Sequence, residues 1–378
     1  MKLFLHTPQT DSELLAIYQR AFSEASELFI VSAYLTEWDS SLKLGNQCKH
    51  FRIIIGKDFG ITRKHACEAV MKWLQKSKIA TFKVADSIAG FHPKAIFWRD
   101  SQSKCHSLVG SSNLTRAAFE NNYEANIYGV ISESNYLKAR AWIGKIDKLS
   151  VVVSEDWLLK YQESTPGKAQ EIRKAKGRSG SPVVSLPLPR PAGMIDLLRR
   201  RRVQLRAYEE HKKELFSLFQ ECANGQITSL AFYDKLPSVW SVSLDNRLQG
   251  FGFEIRGKHS NFQELAKSFN RIVEANDNDR DDVVREEIDR LAEIKIPTRA
   301  AFLSEMLCLA FPREYPILNA PVRKYISSIK FKAPRGATEG TVYIDLASKL
   351  RASLVQNIGY PAKNLAEIDT LIWDTYGN

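Results

Sequence analysis

Cysteine is scarce and never patterned: Cys48, Cys67, Cys105, Cys222 and Cys308 are odd in number and none stands in CxxC spacing. That excludes a disulfide framework and a thiolate zinc site, and it fits reduced thiols in a cytoplasm. Long apolar runs are missing as well. No stretch approaches the roughly eighteen residues that cross a bilayer, and the apolar part of MKLFLHTPQTD is too short for a signal peptide. The absence of GxxxxGK[ST] means that any nucleotide-driven motor must be a separate chain. Asp277, Asp279 and Asp281 imitate a calcium loop, but Asp282 stands where Gly is needed and Ile288 where Glu is needed, so a charged turn is expected. GFGFEIRG lacks the strand-to-helix setting of a dinucleotide site and reads as a glycine-broken strand pair. His50, His65, His106, His211 and His259 have no partners at ligand spacing, and neither a metal nor a cofactor is expected.

Acidic residues are in deficit, and the deficit is local. The 378-residue chain carries a net charge of +11. Between Lys168 and Arg206 eleven basic residues face only Glu171 and Asp196, so most of the excess lies in one segment. A concentrated positive stretch is an electrostatic footprint for a polyanion.

The length predicts two domains, and 44% hydrophobic residues suffice for a sizeable core. Apolar positions at helical spacing over 11–27 precede a buried strand over 28–36 and a second over 51–56. An amphipathic helix is expected over 62–77, capped by Thr62, with Ala66, Ala69, Val70, Trp73 and Leu74 facing inward. Another strand covers 81–86. Alternating helices and strands predict an α/β layer structure over 1–163. Residues 164–193 are rich in Pro, Gly, Ser and basic side chains and read as a linker. From Met194 a long basic helix begins. Beyond a mixed stretch over 227–258, which holds a hairpin candidate, apolar periodicity predicts helices over 260–275, 281–295 and 298–311 and through most of 341–376. The carboxy-terminal domain, 194–378, is therefore expected to be mainly helical. No internal repeat of fixed period appears.

The chemistry concentrates in FHPKAIFWRDSQSKCHSLVGSSNLTRAAFENNYEANIY, residues 91–128. His92 and Lys94 are two apart, and on a strand such residues project side by side. The run SLVG leads into Ser111, Ser112 and Asn113, short donors in a turn ahead of a helix start. Glu124 opens a further strand. An imidazole, a cation, amide and hydroxyl donors and one carboxylate suit an anionic substrate, with phosphate the obvious one. The bland readings stay open: Ser111 and Asn113 as a capping turn, and Glu124 as a half-buried carboxylate paired with an arginine.

This stretch resembles the phospholipase D superfamily, whose signature is His-x-Lys followed by Gly-Ser-x-Asn. His92-Pro93-Lys94 and Gly110-Ser111-Ser112-Asn113 match it, and Glu124 follows Asn113 as in small bacterial nuclease members. The superfamily's Asp, usual seven residues after the His, is replaced by Arg99. Asp100 lies one place later, on the wrong strand face unless a bulge intervenes, and it is not assigned the role.

The resemblance spans residues 1–160 and implies an α/β domain with a mixed sheet flanked by helices. It implies metal-independent cleavage of a phosphodiester, with His92 as nucleophile, Lys94, Ser111 and Asn113 on the phosphate oxygens, and Glu124 orienting an imidazole. A single motif per chain implies a homodimer sharing one site, because a second His must protonate the leaving group. Restriction endonucleases of this superfamily join such a domain to a DNA-recognition domain, which implies DNA, with RNA as the alternative, and a role in restriction or other antiviral defence. A helicase or translocase chain is a further candidate partner. Lys174, Lys176, Arg178, Arg199, Arg200, Arg201 and Arg202 are then candidate nucleic-acid contacts, although four consecutive arginines point all round a helix. The competing readings are lipid chemistry by a phospholipase D or phosphatidyl transferase, and a non-catalytic nucleic-acid-binding protein.

Overall fold

The computed structural model describes residues 1–8, 13–164, 182–248, 250 and 257–377. The chain divides into two compact units: Met1–Val184 with Ala333–Ala337, and Ser185–Lys332 with Thr338–Asn378. The division falls inside the stretch expected as a linker, of which 165–181 lies outside the described residues.

The first unit is α/β. Its strands are β1 (Lys2–His6), β2 (Ala25–Ser32), β3 (His50–Ile55), β4 (Phe82–Val84), β5 (Lys94–Asp100), β6 (Cys105–Gly110), β7 (Glu124–Ile131) and β8 (Val151–Val152). They form one 8-stranded mixed sheet in the order β1-β7-β6-β5-β2-β3-β4-β8. The β2–β3 and β3–β4 pairs are parallel and the rest antiparallel. The apolar runs of β2 and β3 are covered on both faces, as parallel pairing requires. Helix α1 (Glu13–Glu24) lays Leu14, Tyr18, Ala21 and Phe22 inward, and Phe22 meets Phe51, Trp38 and Trp73 edge to face. Helix α2 (Lys64–Trp73) and a short helix, α3 (Arg116–Glu120), lead on to α4 (Glu133–Lys148). Tyr136, Ile143 and Ile146 of α4 cover Phe29, Val31 and Ile54. Among the described residues the last helix of the unit is α5 (Glu155–Lys160).

Two local expectations shift. The first helix is shorter than 11–27, and β2 starts at Ala25 and ends at Ser32 rather than running 28–36. Pairing with β3 and β5 on both sides recruits the earlier residues. Beyond Ser32 the backbone leaves the ladder, and Tyr34 N donates to a side chain instead. Thr62 does not cap α2. It is buried, with its hydroxyl donating to Gly56 O at 2.6 Å and accepting from Leu35 N at 3.2 Å, so it ties two loops together.

The second unit is helical among its described residues: α6 (Met194–Ala223), α7 (Ser229–Lys235), α8 (Phe262–Glu274), α9 (Arg280–Glu293), α10 (Ala301–Ala310), α11 (Ala320–Ser328), α12 (Glu339–Gln356) and α13 (Leu365–Tyr376). Phe219, Phe232, Phe262, Phe269, Phe302 and Trp240 form an aromatic centre. The hairpin candidate lies mostly outside the described residues. The charged turn behaves as one: Asp277 accepts from Arg280, and Asp281 pairs with Arg351.

Candidate active site

Strand register assembles one rim of the sheet from distant sequence. Ser32 at the end of β2 faces Lys94 at the start of β5. Gly110 at the end of β6 faces Asn126, and His6 at the end of β1 faces Glu124 at the start of β7. The residues picked from the motif therefore meet at the edge where β1, β2 and β6 end and β5 and β7 begin.

His92 precedes β5 in a loop fixed from below. Phe91 is buried beside Gly56, where a Cβ would come 3.1 Å from the Phe91 ring, and Gly90 N donates to Asp58 Oδ2 at 2.8 Å. The His92 ring remains exposed. Lys94 Nζ lies 3.1 Å from its Nδ1 and 3.4 Å from its Nε2. An ammonium has no lone pair, so the ring accepts and is held neutral. Burial and then the Lys94 charge both lower the His92 pKa. Burial also lowers that of Lys94, opposed by the Glu124 carboxylate. An uncharged imidazole is the form that can attack phosphorus.

Asn113 has a fixed orientation. Its Oδ1 accepts from Tyr34 N at 3.1 Å, with Ser32 Oγ 3.3 Å away. A backbone N–H can only donate, which sets the amide oxygen inward. The Nδ2 group makes no hydrogen bond within the described residues and remains available as a donor. Ser111 Oγ donates to Glu124 Oε2 and accepts from Ala125 N at 2.9 Å, while Asn122 Nδ2 donates to Glu124 Oε1 at 3.1 Å. Glu124 is buried, and no hydrogen bond joins it to His92 of the same chain. Gly110 permits this packing: a Cβ there would sit 2.3 Å from Ala125 O and from Asn126 Oδ1.

Asp100 lies at the opposite end of β5. It accepts from Gln102 N and Lys104 N, both at 2.9 Å, and pairs with His106 Nε2 at 2.9 Å, so it closes the β5–β6 turn. Arg99 is engaged by Glu133 and Glu27. Neither approaches the rim.

Of the candidate nucleic-acid contacts, Lys174, Lys176 and Arg178 lie outside the described residues. The four arginines of α6 diverge, as helical geometry demands. Arg199 is exposed and pairs with Asp196, and Arg200 is exposed with no ion pair among the described residues. Arg201 is 3% exposed and pairs with buried Asp369 at 3.1 Å. Arg202 donates to Glu367 at 2.9 Å. The last two fasten α6 to α13, and Arg201 is not placed to meet a phosphate.

The motif does not name three further residues of the rim. Tyr34 sets its ring 5.6 Å from that of His92 at 75°. Asn126 Nδ2 donates to Ser112 Oγ at 2.7 Å and holds the turn closed. His6 is buried opposite Glu124, and its Nε2 has no hydrogen-bond partner among the described residues. Tyr34 and His6 reach the rim from segments far from the motif in sequence, which spacing does not reveal, and Asn126 through the β6–β7 register. Among the described residues, no three His, Cys, Asp or Glu side chains are grouped to hold a metal ion, and no helix is long and apolar enough to cross a membrane.

A mixed sheet with His-x-Lys leading one strand and Gly-Ser-x-Asn ending its hairpin partner is similar to a phospholipase D-like domain. Residues 12–149 match the sequence model of the NgoFVII restriction endonuclease N-terminal PLD domain. Two solved structures are also similar. NucT from Helicobacter pylori is 18% identical over 40% of this chain and 98% of its own, with a TM-score of 0.31. The phospholipase D family member Nuc from Salmonella typhimurium is 15% identical over 40% of this chain and 99% of its own, also with a TM-score of 0.31. No curated protein sequence matches the chain.

Proposed function

We propose that this protein is a metal-independent endonuclease that cleaves DNA through a phosphohistidine intermediate, in restriction or other antiviral defence. The observation that carries the reading is the rim itself: a neutral imidazole, an ammonium beside it and an unengaged amide donor, in a domain that matches a restriction endonuclease family. In the first step an imidazole nitrogen of His92 bonds to phosphorus as the bond to the leaving oxygen breaks, and that oxygen takes a proton from a second imidazole. Water then attacks phosphorus, breaks the P–N bond and returns a proton to the second imidazole. Lys94 and the Asn113 Nδ2 group bind the non-bridging oxygens. Ser111 holds Glu124, and Glu124 orients the proton-carrying imidazole.

That imidazole belongs to a second copy of the chain. Leu3, Leu5, Val109 and Ile127 are 61, 71, 46 and 48% exposed, and strand register sets them on one face of β1, β7 and β6. The same three strands deliver Glu124 and Ser111 to the rim, so a copy covering this apolar face would lie beside the site. Arg199 and Arg200 remain candidate phosphate contacts. The soluble location is the cytoplasm, and a separate helicase or translocase chain fits the lack of a nucleotide-binding loop.

The test is cleavage of plasmid and single-stranded DNA in excess EDTA, wild type beside His92→Ala, with the mass in solution measured by sedimentation. Cleavage in EDTA that His92→Ala abolishes, by a dimer, is the expected result. Cleavage that requires magnesium, or full activity in a strict monomer, would sink the mechanism.

A further inference from the structure

The donors of the rim recognise a phosphodiester and nothing beyond it. Lys94 and the Asn113 Nδ2 group would treat any such group alike, so selection among diesters has to come from what borders them. Tyr34 is an aromatic residue placed there, beside the nucleophile. Its backbone is held on both sides by residues of the site: its N–H donates to Asn113 Oδ1 at 3.1 Å, and Ser32 Oγ donates to its carbonyl at 2.8 Å. The next residue, Leu35, is buried and donates through its N–H to Thr62 Oγ1. The ring is thus carried on fixed backbone. It is half-buried, and it stands edge-on to the His92 imidazole with centroids 5.6 Å apart.

A phosphorus within bonding reach of His92 leaves its two ester substituents one sugar length from this ring. Aromatic side chains beside a cationic phosphate cradle are how unpaired nucleotides are held, because every base offers a flat face. Within a duplex that face is already covered by the neighbouring base. We propose, resting on the nuclease reading above, that Tyr34 is a stacking platform for the base next to the scissile phosphate. The site therefore takes DNA with that base unpaired, either single-stranded or opened locally.

The experiment measures kcat/KM in EDTA on an oligothymidylate, its fully abasic counterpart of equal length, and the same oligothymidylate annealed to its complement, with plasmid as control. Wild type should prefer the base-bearing single strand to the abasic one by about tenfold, the scale of one base–aromatic stack, and should cut the annealed form more slowly. Tyr34→Ala should lose that preference by falling on oligothymidylate alone, and Tyr34→Phe should retain it. A Tyr34→Ala loss that is equal on both single strands would mean that the ring merely steadies His92, and would overturn the inference. So would a wild type that cuts plasmid but not oligothymidylate. A wild type that cuts nothing would overturn the nuclease reading and this inference with it.

Discussion

Asn113→Asp changes the one atom of that side chain which the scaffold does not use. The inward oxygen, held by the Tyr34 N–H at 3.1 Å, is retained by aspartate, while the outward Nδ2 donor becomes an oxygen bearing negative charge. Loss of a single donor to a transition-state oxyanion costs about 10²–10³ in kcat. A carboxylate some 4 Å from a phosphate oxygen adds a repulsion of about 4 kcal/mol at an effective dielectric constant of about 20. Cleavage should therefore fall by at least about 10³, with the fold intact. Asn113→Ala gives the opposite balance, because it strands the Tyr34 N–H and should cost about 1–3 kcal/mol of stability. Single-turnover cleavage in EDTA, set beside urea unfolding of each variant, separates the two effects. An Asn113→Asp enzyme that cleaves within a few-fold of wild type would show that Nδ2 is not aimed at substrate. One that unfolds as readily as Asn113→Ala would refute the orientation of the amide.

Two further predictions concern the frame. Burial raises the pKa of Glu305 to about 7, against the pull of the Leu248 N–H and of Arg247. The folded state then holds a proton that the unfolded chain releases above about 4.5, so stability falls as pH rises from there through 7. Glu305→Gln should flatten that slope and stabilise the protein at pH 8 by up to about 3 kcal/mol; a stability difference between variant and wild type that is the same at pH 5 and pH 8 in urea unfolding would refute it. Gly110→Ala would press a methyl group against Ala125 O and Asn126 Oδ1. It should cost about 2 kcal/mol or more and abolish cleavage by parting β6 from β7; unchanged unfolding would contradict the close packing.

Much of the rim was legible because its residues sit in two short motifs carried by neighbouring strands. His92 and Lys94 meet as their spacing predicts, and Gly110 through Asn113 form the turn expected of them. Asp100, to which no role was assigned, lies at the far end of its strand from His92. Tyr34 and His6 were not legible, because each arrives from a segment far away in the chain, and Asn126 was not, because its part depends on the β6–β7 register. The arginine run shows the converse limit. Charge counting ascribes four cations to one segment, whereas Arg201 is buried against Asp369 and Arg202, still partly exposed, is engaged by Glu367. A coarse helical reading of the second unit survived because apolar periodicity is local, while the partners of its buried charges are not.

The sheet places its first-made strand at an edge, with β7 as its sole neighbour. The β5–β6–β7 meander closes through one short turn and the segment that carries α3, but β1 finds its place only after Glu124–Ile131 has been synthesised and ordered. Late contacts between distant segments are slow to form and carry the full entropy of the loop they close. A strand that docks last at an edge is also among the first to leave, so opening of Lys2–His6 should precede global unfolding in hydrogen exchange. The environment of Glu124 then has the lifetime of that edge. Whatever covers Leu3 and Leu5 sets how long the site stays assembled.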